Sequence, residues 1–234
     1  MPGVLHHILF SKEVIARAKN CQKTSKTGRI IWGNRAEIDE PTFLIGSLMP
    51  DLMSKKDKLH FKVDSKIAEG FKVPELFWAK TNIKKIDIPS LRLGYYEHLY
   101  LDKVFIEEFI YPRFEFDWKN DIIKNRHLNQ AYSVDEFFSP LGLYHGYSEM
   151  NQMILSECLL GDNLEYLSQI PNWPPYTEIP KFDSYRWTPW REELAYYIDN
   201  VAHTKDTVFP TKEAIKFIEA KAEFYAKVVL NDYF

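Results

Sequence analysis

The sequence predicts an all-α, multi-helix bundle, and three observations carry that prediction. Apolar residues recur at spacings of three and four nearly throughout, the period of a helix with one buried face. Only 9 of the 234 residues are Gly, too few for a Gly-rich sandwich or for phosphate-cradling loops. Proline falls at intervals that punctuate helices. No linker composition, internal repeat or low-complexity stretch divides the chain, so residues 1–234 are expected to form one domain. A domain of that size buries roughly three-quarters of its unfolded surface and needs no staples.

Residues 3–19 read as a first helix, ending before a polar stretch at 20–28. The short β-branched run at 29–33 (RIIWG) fits either a lone strand or a buried loop. Glu40-Pro41 opens an apolar helix through Leu48, which Pro50 is expected to end because it lacks a donor and crowds the preceding turn. Pro74 starts a short helix containing Leu76, Phe77 and Trp78. Ser90 is the expected cap of a long helix over 90–112, and a further helix is expected over 119–130. Ser133 and Glu136 make a capping box, with the main helix restarting at Pro140, running to Leu160 and closing at Gly161. Residues 170–187 read as an ordered, aromatic-rich surface loop, and 188–203 and 211–230 as the closing helices.

Composition excludes several function classes. Lys and Arg number 30 against 33 Asp and Glu, a net charge of −3 that disfavours electrostatically driven binding to nucleic acid or anionic membrane. Cys21 and Cys158 lie far apart and form no CxxC pair, which excludes a disulfide framework. No signal-peptide pattern is seen, and no run approaches the ~18 apolar residues of a spanning helix. The expected compartment is the cytoplasm.

Ionisable residues stand where a helix bundle should be apolar. In the run Gly94-Tyr95-Tyr96-Glu97-His98-Leu99-Tyr100-Leu101-Asp102, His98 and Asp102 are spaced i,i+4 and share a helix face. Arg92, Lys103 and Glu107 occupy the far side of the wheel, which turns that pair inward. Such a pair makes an intrahelical hydrogen bond or holds a metal ion. Gly94, one turn earlier, lets another backbone approach. Pro50 places Asp51 at the mouth of the bundle, and His60-Phe61 follows nine residues later. On the first helix, adjacent His6 and His7 point about 100° apart, so at most one faces a given site.

The order His, Pro-Asp, His-Phe, Gly-Tyr-x-x-His-x-x-x-Asp resembles the zinc-dependent phospholipase C family, which shares its all-α fold with the S1/P1-type nucleases; the small leaderless bacterial branch is nearest. The resemblance covers the first 110 residues or so and implies a hydrolase of phosphoric esters that uses metal-activated water and one to three zinc ions. Fe, Mn or Ni suit the same donors. It implies His7, Asp51, His60, His98 and Asp102 as metal ligands, with Asp102 bridging two ions. Asp51 is also the implied catalytic residue, orienting or deprotonating the water. The second His-x-x-x-acid element falls on His145 and Glu149. These lie with Gln152 and Ser156 on a polar stripe opposite Leu143, Tyr147, Met150 and Ile154, a position equally suited to a solvated face.

Two departures stand out. Secreted members use the amino group of an N-terminal Trp where this sequence reads Met1-Pro2, implying a weaker or missing metal there. They also carry a histidine six residues after the aspartate, where Glu108 stands, an oxygen donor or more commonly a solvated helix residue; His127, from the following helix, is a lesser candidate to substitute. Glu97 and Glu149 are lesser candidates for the base, and His203, with Asp199 one turn before it, reads as structural or as a helix C-terminal charge partner. Tyr95, Tyr96, Tyr144, Trp187 and Trp190 are cleft or core aromatics. The expected substrate is a small phosphoester or a phospholipid; cleavage at a lipid surface requires an exposed apolar rim, which composition does not reveal. An HD-type phosphohydrolase needs an adjacent His-Asp dipeptide, and the sequence has none. The remaining alternative is a non-catalytic module that keeps the fold and part of the metal site.

Overall fold

Asp39 starts the element on which the fold turns. Its carboxylate accepts the Thr42 amide at 3.1 Å, its backbone N–H donates to Ser90 Oγ at 2.9 Å, and a helix follows from Glu40 to Leu52 (α2). In this computed structural model residues 3–20, 30–32, 36–52, 59–159, 208 and 210–229 are described. Pro50 does not end α2 as expected: it lies within the last turn, where its missing N–H costs one hydrogen bond and the helix continues through Asp51. Before α2 come helix α1 (Val4–Asn20) and strands β1 (Ile30–Trp32) and β2 (Ala36–Ile38). Within the RIIWG run, Ile30–Trp32 thus form a strand that pairs antiparallel with Ala36–Ile38, Ile30 opposite Ile38.

After α2 a second hairpin pairs β3 (Lys62–Asp64) with β4 (Lys72–Pro74). Pro74 ends that strand, and the cap of α3 (Leu76–Ile83) is Glu75, whose carboxylate accepts the amides of Phe77 and Trp78 at 3.3 and 2.6 Å. Helix α4 (Pro89–Val104) starts with Pro at its first position and Ile88 as cap, so Ser90 is a buried acceptor for Asp39 and not the expected cap. A π-helical turn (Phe105–Ile110) and a 3-10 turn (Tyr111–Arg113) carry the chain onward.

The helix expected over 119–130 is absent. A three-stranded antiparallel sheet stands there, β5 (Phe114–Asp117), β6 (Ile122–Asn125) and β7 (Ala131–Tyr132). Turn chemistry overrides the weak helical pattern. The Asp117 carboxylate takes both the backbone and side-chain N–H of Asn120, and Asp121 and Asn129 adopt positive φ of 56° and 48°. The expected capping box is present at α5 (Val134–Phe137). Helix α6 runs from Leu143 to Ile154 and passes into a π turn (Leu155–Leu159). Helix α7 (Thr211–Phe224) likewise passes into a π turn (Tyr225–Val229). The described residues are mostly helical, as expected, and add three small antiparallel sheets to the expected helices. The aromatic loop at 170–187 and the helix at 188–203 lie outside the described residues.

One apolar core joins α1, α2, α4, α6 and α7, through Leu5, Phe10, Phe43, Leu48, Leu91, Leu99, Met150 and Ile218 among others. Within it α2 and α4 touch backbone to backbone. A Cβ at Gly94 would lie 1.8 Å from the Phe43 carbonyl oxygen, and one at Gly46 would lie 2.1 Å from that of Leu91. Two glycines, one on each helix, therefore set the closest approach and hold the C-terminal turn of α2 beside His98 and Asp102. Among the described residues no helix is long and apolar enough to cross a membrane.

Candidate metal centre

Helices α1, α2 and α4, with the turn at His60, bring five donor side chains together. His7 of α1 stacks on His98 of α4, ring centroids 3.8 Å apart and planes within 12°. Its neighbour His6 points elsewhere, as adjacent helical positions require, and meets the rings of Phe105 and Tyr147 edge-on. Asp51 comes from the last turn of α2. His60 precedes Phe61, which sits at φ 50°, a left-handed conformation that a non-glycine residue holds only when its surroundings enforce it. Two bonds do so: Tyr95 Oη donates to the Leu59 carbonyl at 2.7 Å, and the Phe61 carbonyl accepts the Glu75 amide at 3.0 Å.

The donor atoms are spaced as a shared cation requires. His60 Nε2 and His98 Nε2 are 3.0 Å apart. Asp102 lies 3.5 Å from His7 through Oδ1, and 3.6 and 3.7 Å from His60 and His98 through Oδ2; Asp51 Oδ1 lies 3.6 Å from His60 Nε2. Separations of 3.5–3.7 Å are too long for hydrogen bonds. Ligand atoms about 2.0–2.2 Å from one tetrahedral zinc stand roughly 3.3–3.6 Å from each other. Two overlapping triads emerge, His7–Asp51–His98 and His60–His98–Asp102, each with its donors within 4.8 Å of one another.

Protonation states fit the same role. A carbonyl only accepts, so the 2.6 Å contact of His98 Nδ1 with the Ser47 carbonyl fixes the proton on Nδ1 and leaves the lone pair on Nε2. One lone pair serves one ion, so the two triads compete for His98. Burial, aided by neighbouring His7, pulls His98 down to about 3, which keeps the ring neutral. Burial would raise Asp102, and positive charge among the surrounding imidazoles, His98 first and then His7 and His60, would pull it down; with His98 neutral that compensation falls short. Neither Asp102 oxygen accepts a hydrogen bond, and the His7 ring makes none, its Nε2 standing 3.5 Å from Asp102 Oδ1. A fully buried carboxylate with no donor to its oxygens carries a large desolvation cost, and a cation among these groups offsets it. The residues fit a metal ion with mixed imidazole and carboxylate ligands.

Of the five, only Asp51 reaches the surface, with 18% of its side chain exposed; the other four are at most 1% exposed. Other expected residues stand apart. Glu149 is buried, which corrects its assignment to a possible solvated face, and lies 3.4 Å from the half-exposed His145. Neither belongs to the groups of converging donors. His127 is exposed in the turn after β6 and does not replace a ligand, and Glu108 is paired with Lys221 on the surface. Glu107, expected on the far, charged side of α4, is buried and held by Lys103 and Ser65. Glu97 is wholly buried, accepts Ser11 Oγ at 3.2 Å, and is pushed well up by desolvation. His203 and Asp199 lie outside the described residues.

Three contributors were not assigned these parts from the sequence. The Ser47 carbonyl orients His98, Tyr95 anchors the turn that carries His60, and Gly46 completes the helix contact. A backbone carbonyl has no residue signature, but Gly46 one turn before Pro50 and Tyr95 beside Gly94 were visible in the sequence. Comparison with protein-family models, with curated proteins and with solved structures finds no match to this chain.

Proposed function

We propose that this protein is a metal-dependent hydrolase of phosphoric ester bonds, related in its helical fold and ligand order to the zinc-dependent phospholipases C and S1/P1-type nucleases. One observation carries the reading: the four sequence elements of that order converge, in a largely helical fold, on donor atoms 3.0–3.7 Å apart around a carboxylate with no hydrogen bond. His7, Asp51, His60, His98 and Asp102 would hold the metal, with zinc the best match to the donor set. The bound ion supplies Lewis acidity, polarising a phosphoryl oxygen and easing deprotonation of water.

The chain's own residues supply the rest. Ser47 locks the His98 tautomer, and Asp102 brings negative charge that no protein donor satisfies. Asp51, at the exposed edge, is the group placed to take the proton of the attacking water as the P–O ester bond breaks and the leaving oxygen is protonated. The test is elemental analysis of protein purified without chelators, followed by hydrolysis of bis(p-nitrophenyl) phosphate before and after chelation. At least one ion per chain and chelator-sensitive hydrolysis are expected. The near-complete burial of four donors favours a second reading, a closed structural site. A single ion with no hydrolysis would replace the first reading with the second, and a protein that takes up no metal on titration would remove both.

A further inference from the structure

Helix α3 buries Ala79 and Ile83 and leaves its opposite face to solvent. On that face Phe77 is 80% exposed and Trp78 53%. At 100° per residue, Phe77, Trp78 and Thr81 fall within an arc of about 100°, and Lys84 and Lys85 follow in the turn that ends the helix. All five are exposed, with the aromatics at one end of the strip and the ammonium groups at the other. Phe61 packs edge-on against Trp78 at 5.4 Å and extends the apolar surface towards the partly exposed Val63.

Charge and area together select the occupant. From residue 76 to 88 the chain carries three lysines (80, 84, 85) and one acid, Asp87, whereas the chain as a whole has a net charge of −3. Glu75, at the aromatic end, has its carboxylate occupied by the amides of Phe77 and Trp78. A second copy docked face to face would set this cationic strip against itself. Two partly exposed aromatics of about 150–250 Å² each fall short of the ~800 Å² per partner of a stable protein interface. A lipid surface needs no such area: aromatic rings settle at the headgroup level, and lysines extend their stems to anionic phosphates.

We propose that the exposed face of α3 docks the protein on anionic phospholipid bilayers, Phe77 and Trp78 entering the headgroup layer while Lys84 and Lys85 contact lipid phosphates. The docking goes beyond the hydrolase reading and does not rest on it. The test is co-sedimentation of the full chain with vesicles of phosphatidylcholine, and of phosphatidylcholine containing about one-third phosphatidylglycerol, at moderate salt. Wild type should bind the anionic vesicles and bind pure phosphatidylcholine far more weakly. Lys84→Gln/Lys85→Gln should weaken anionic binding about 25-fold, roughly fivefold per lysine, with little effect on the neutral vesicles. Phe77→Ser/Trp78→Ser should abolish binding to both.

Unlike Trp78, Phe77, Lys84 and Lys85 make no ring contact with Phe61, so the lysine variant and Phe77→Ser alone, which should also weaken binding to both vesicles, should keep the wild-type melting temperature and metal content, which separates failed docking from failed folding or an absent metal site. No binding by wild type, or full binding by the aromatic double variant, would overturn the proposal. So would concentration-dependent dimerisation in analytical ultracentrifugation that Phe77→Ser/Trp78→Ser removes, since the face would then belong to a second copy.

Discussion

Asp102→Ala tests the metal centre most directly, because this wholly buried carboxylate lies 3.5–3.7 Å from three imidazoles, those of His7, His60 and His98. Zinc at about a thousand times its Kd stabilises the native state by about 4.1 kcal/mol. In a chain of 234 residues each kcal/mol moves Tm by about 2–4 °C, so zinc added to stripped wild type should raise Tm by about 8–16 °C. Loss of an outer partner of a ligand weakens metal binding about 10- to 100-fold, and loss of the shared ligand must exceed that. If the loss is about a thousandfold, the same zinc concentration only matches the new Kd. Stabilisation then falls to about 0.4 kcal/mol, a shift of roughly 1 °C. Differential scanning calorimetry of chelator-stripped protein with and without zinc reads this, and His60→Ala serves as a second variant should Asp102→Ala fold poorly. A zinc-induced shift equal in wild type and variant, or absent from both, would refute the assignment of these donors.

Three further outcomes are expected. Metal-free protein should lose stability as pH falls from 7 to 5. His6 and His98 stay neutral in the native state, while in the unfolded chain each takes a proton near pH 6.5, so the unfolded state binds more protons. Glu97, raised in the fold, acts in the opposite sense above about pH 4.5, so the loss is shallower than two histidines alone would give, at most about 1.4 kcal/mol per pH unit. Urea midpoints at pH 7 and 5.5 measure it, and an unchanged or higher midpoint at 5.5 would contradict the buried neutral histidines. Gly94→Ala should cost about 1–3 kcal/mol or more and reduce zinc uptake, because its Cβ meets the Phe43 carbonyl and forces α2, with Asp51, away from α4; urea unfolding and metal analysis of the variant check this. Glu149→Ala should leave the zinc-induced Tm shift intact, since its carboxylate lies outside the converging donors; loss of the shift would place it among the ligands.

Much of the fold was legible because hydrophobic period and caps agree over long segments. Helix α1, the capping box at Ser133 and helix α7 fall where the pattern puts them. The failures share one cause, a short-range contest that the pattern does not decide. Residues 119–130 have apolar positions compatible with a helix, but Asp117 bonds Asn120, Asn125 accepts the amides of His127 and Leu128, and Asp121 and Asn129 take positive φ, so the chain pairs Ile123 with Phe116 and Tyr132 instead. Ser90 has the chemistry of a cap, yet Pro89 is better suited to the first helical position, and the serine hydroxyl receives the Asp39 amide.

The site was legible to the extent that its spacing is local. His98 and Asp102 share a face by period alone, and His6 and His7 diverge by period alone; the structure keeps both relations. Whether Asp51 and His60 reach that face depends on how closely two helices approach, a long-range distance. Gly94 signals it from one side and Gly46 from the other, and only their opposition at a single crossing shows that α2 delivers Asp51 and the Ser47 carbonyl to His98. Glu149 shows the converse. It lies on a polar stripe that composition assigns equally to water, yet it is buried beside His145, because what covers a helix face is decided by elements far away in the chain. Residue spacing on a helix therefore identifies pairs of donors, while the glycine contact between helices assembles those pairs into one centre. Substitution at Gly94 should for that reason disturb the metal site even though the residue bears no ligand.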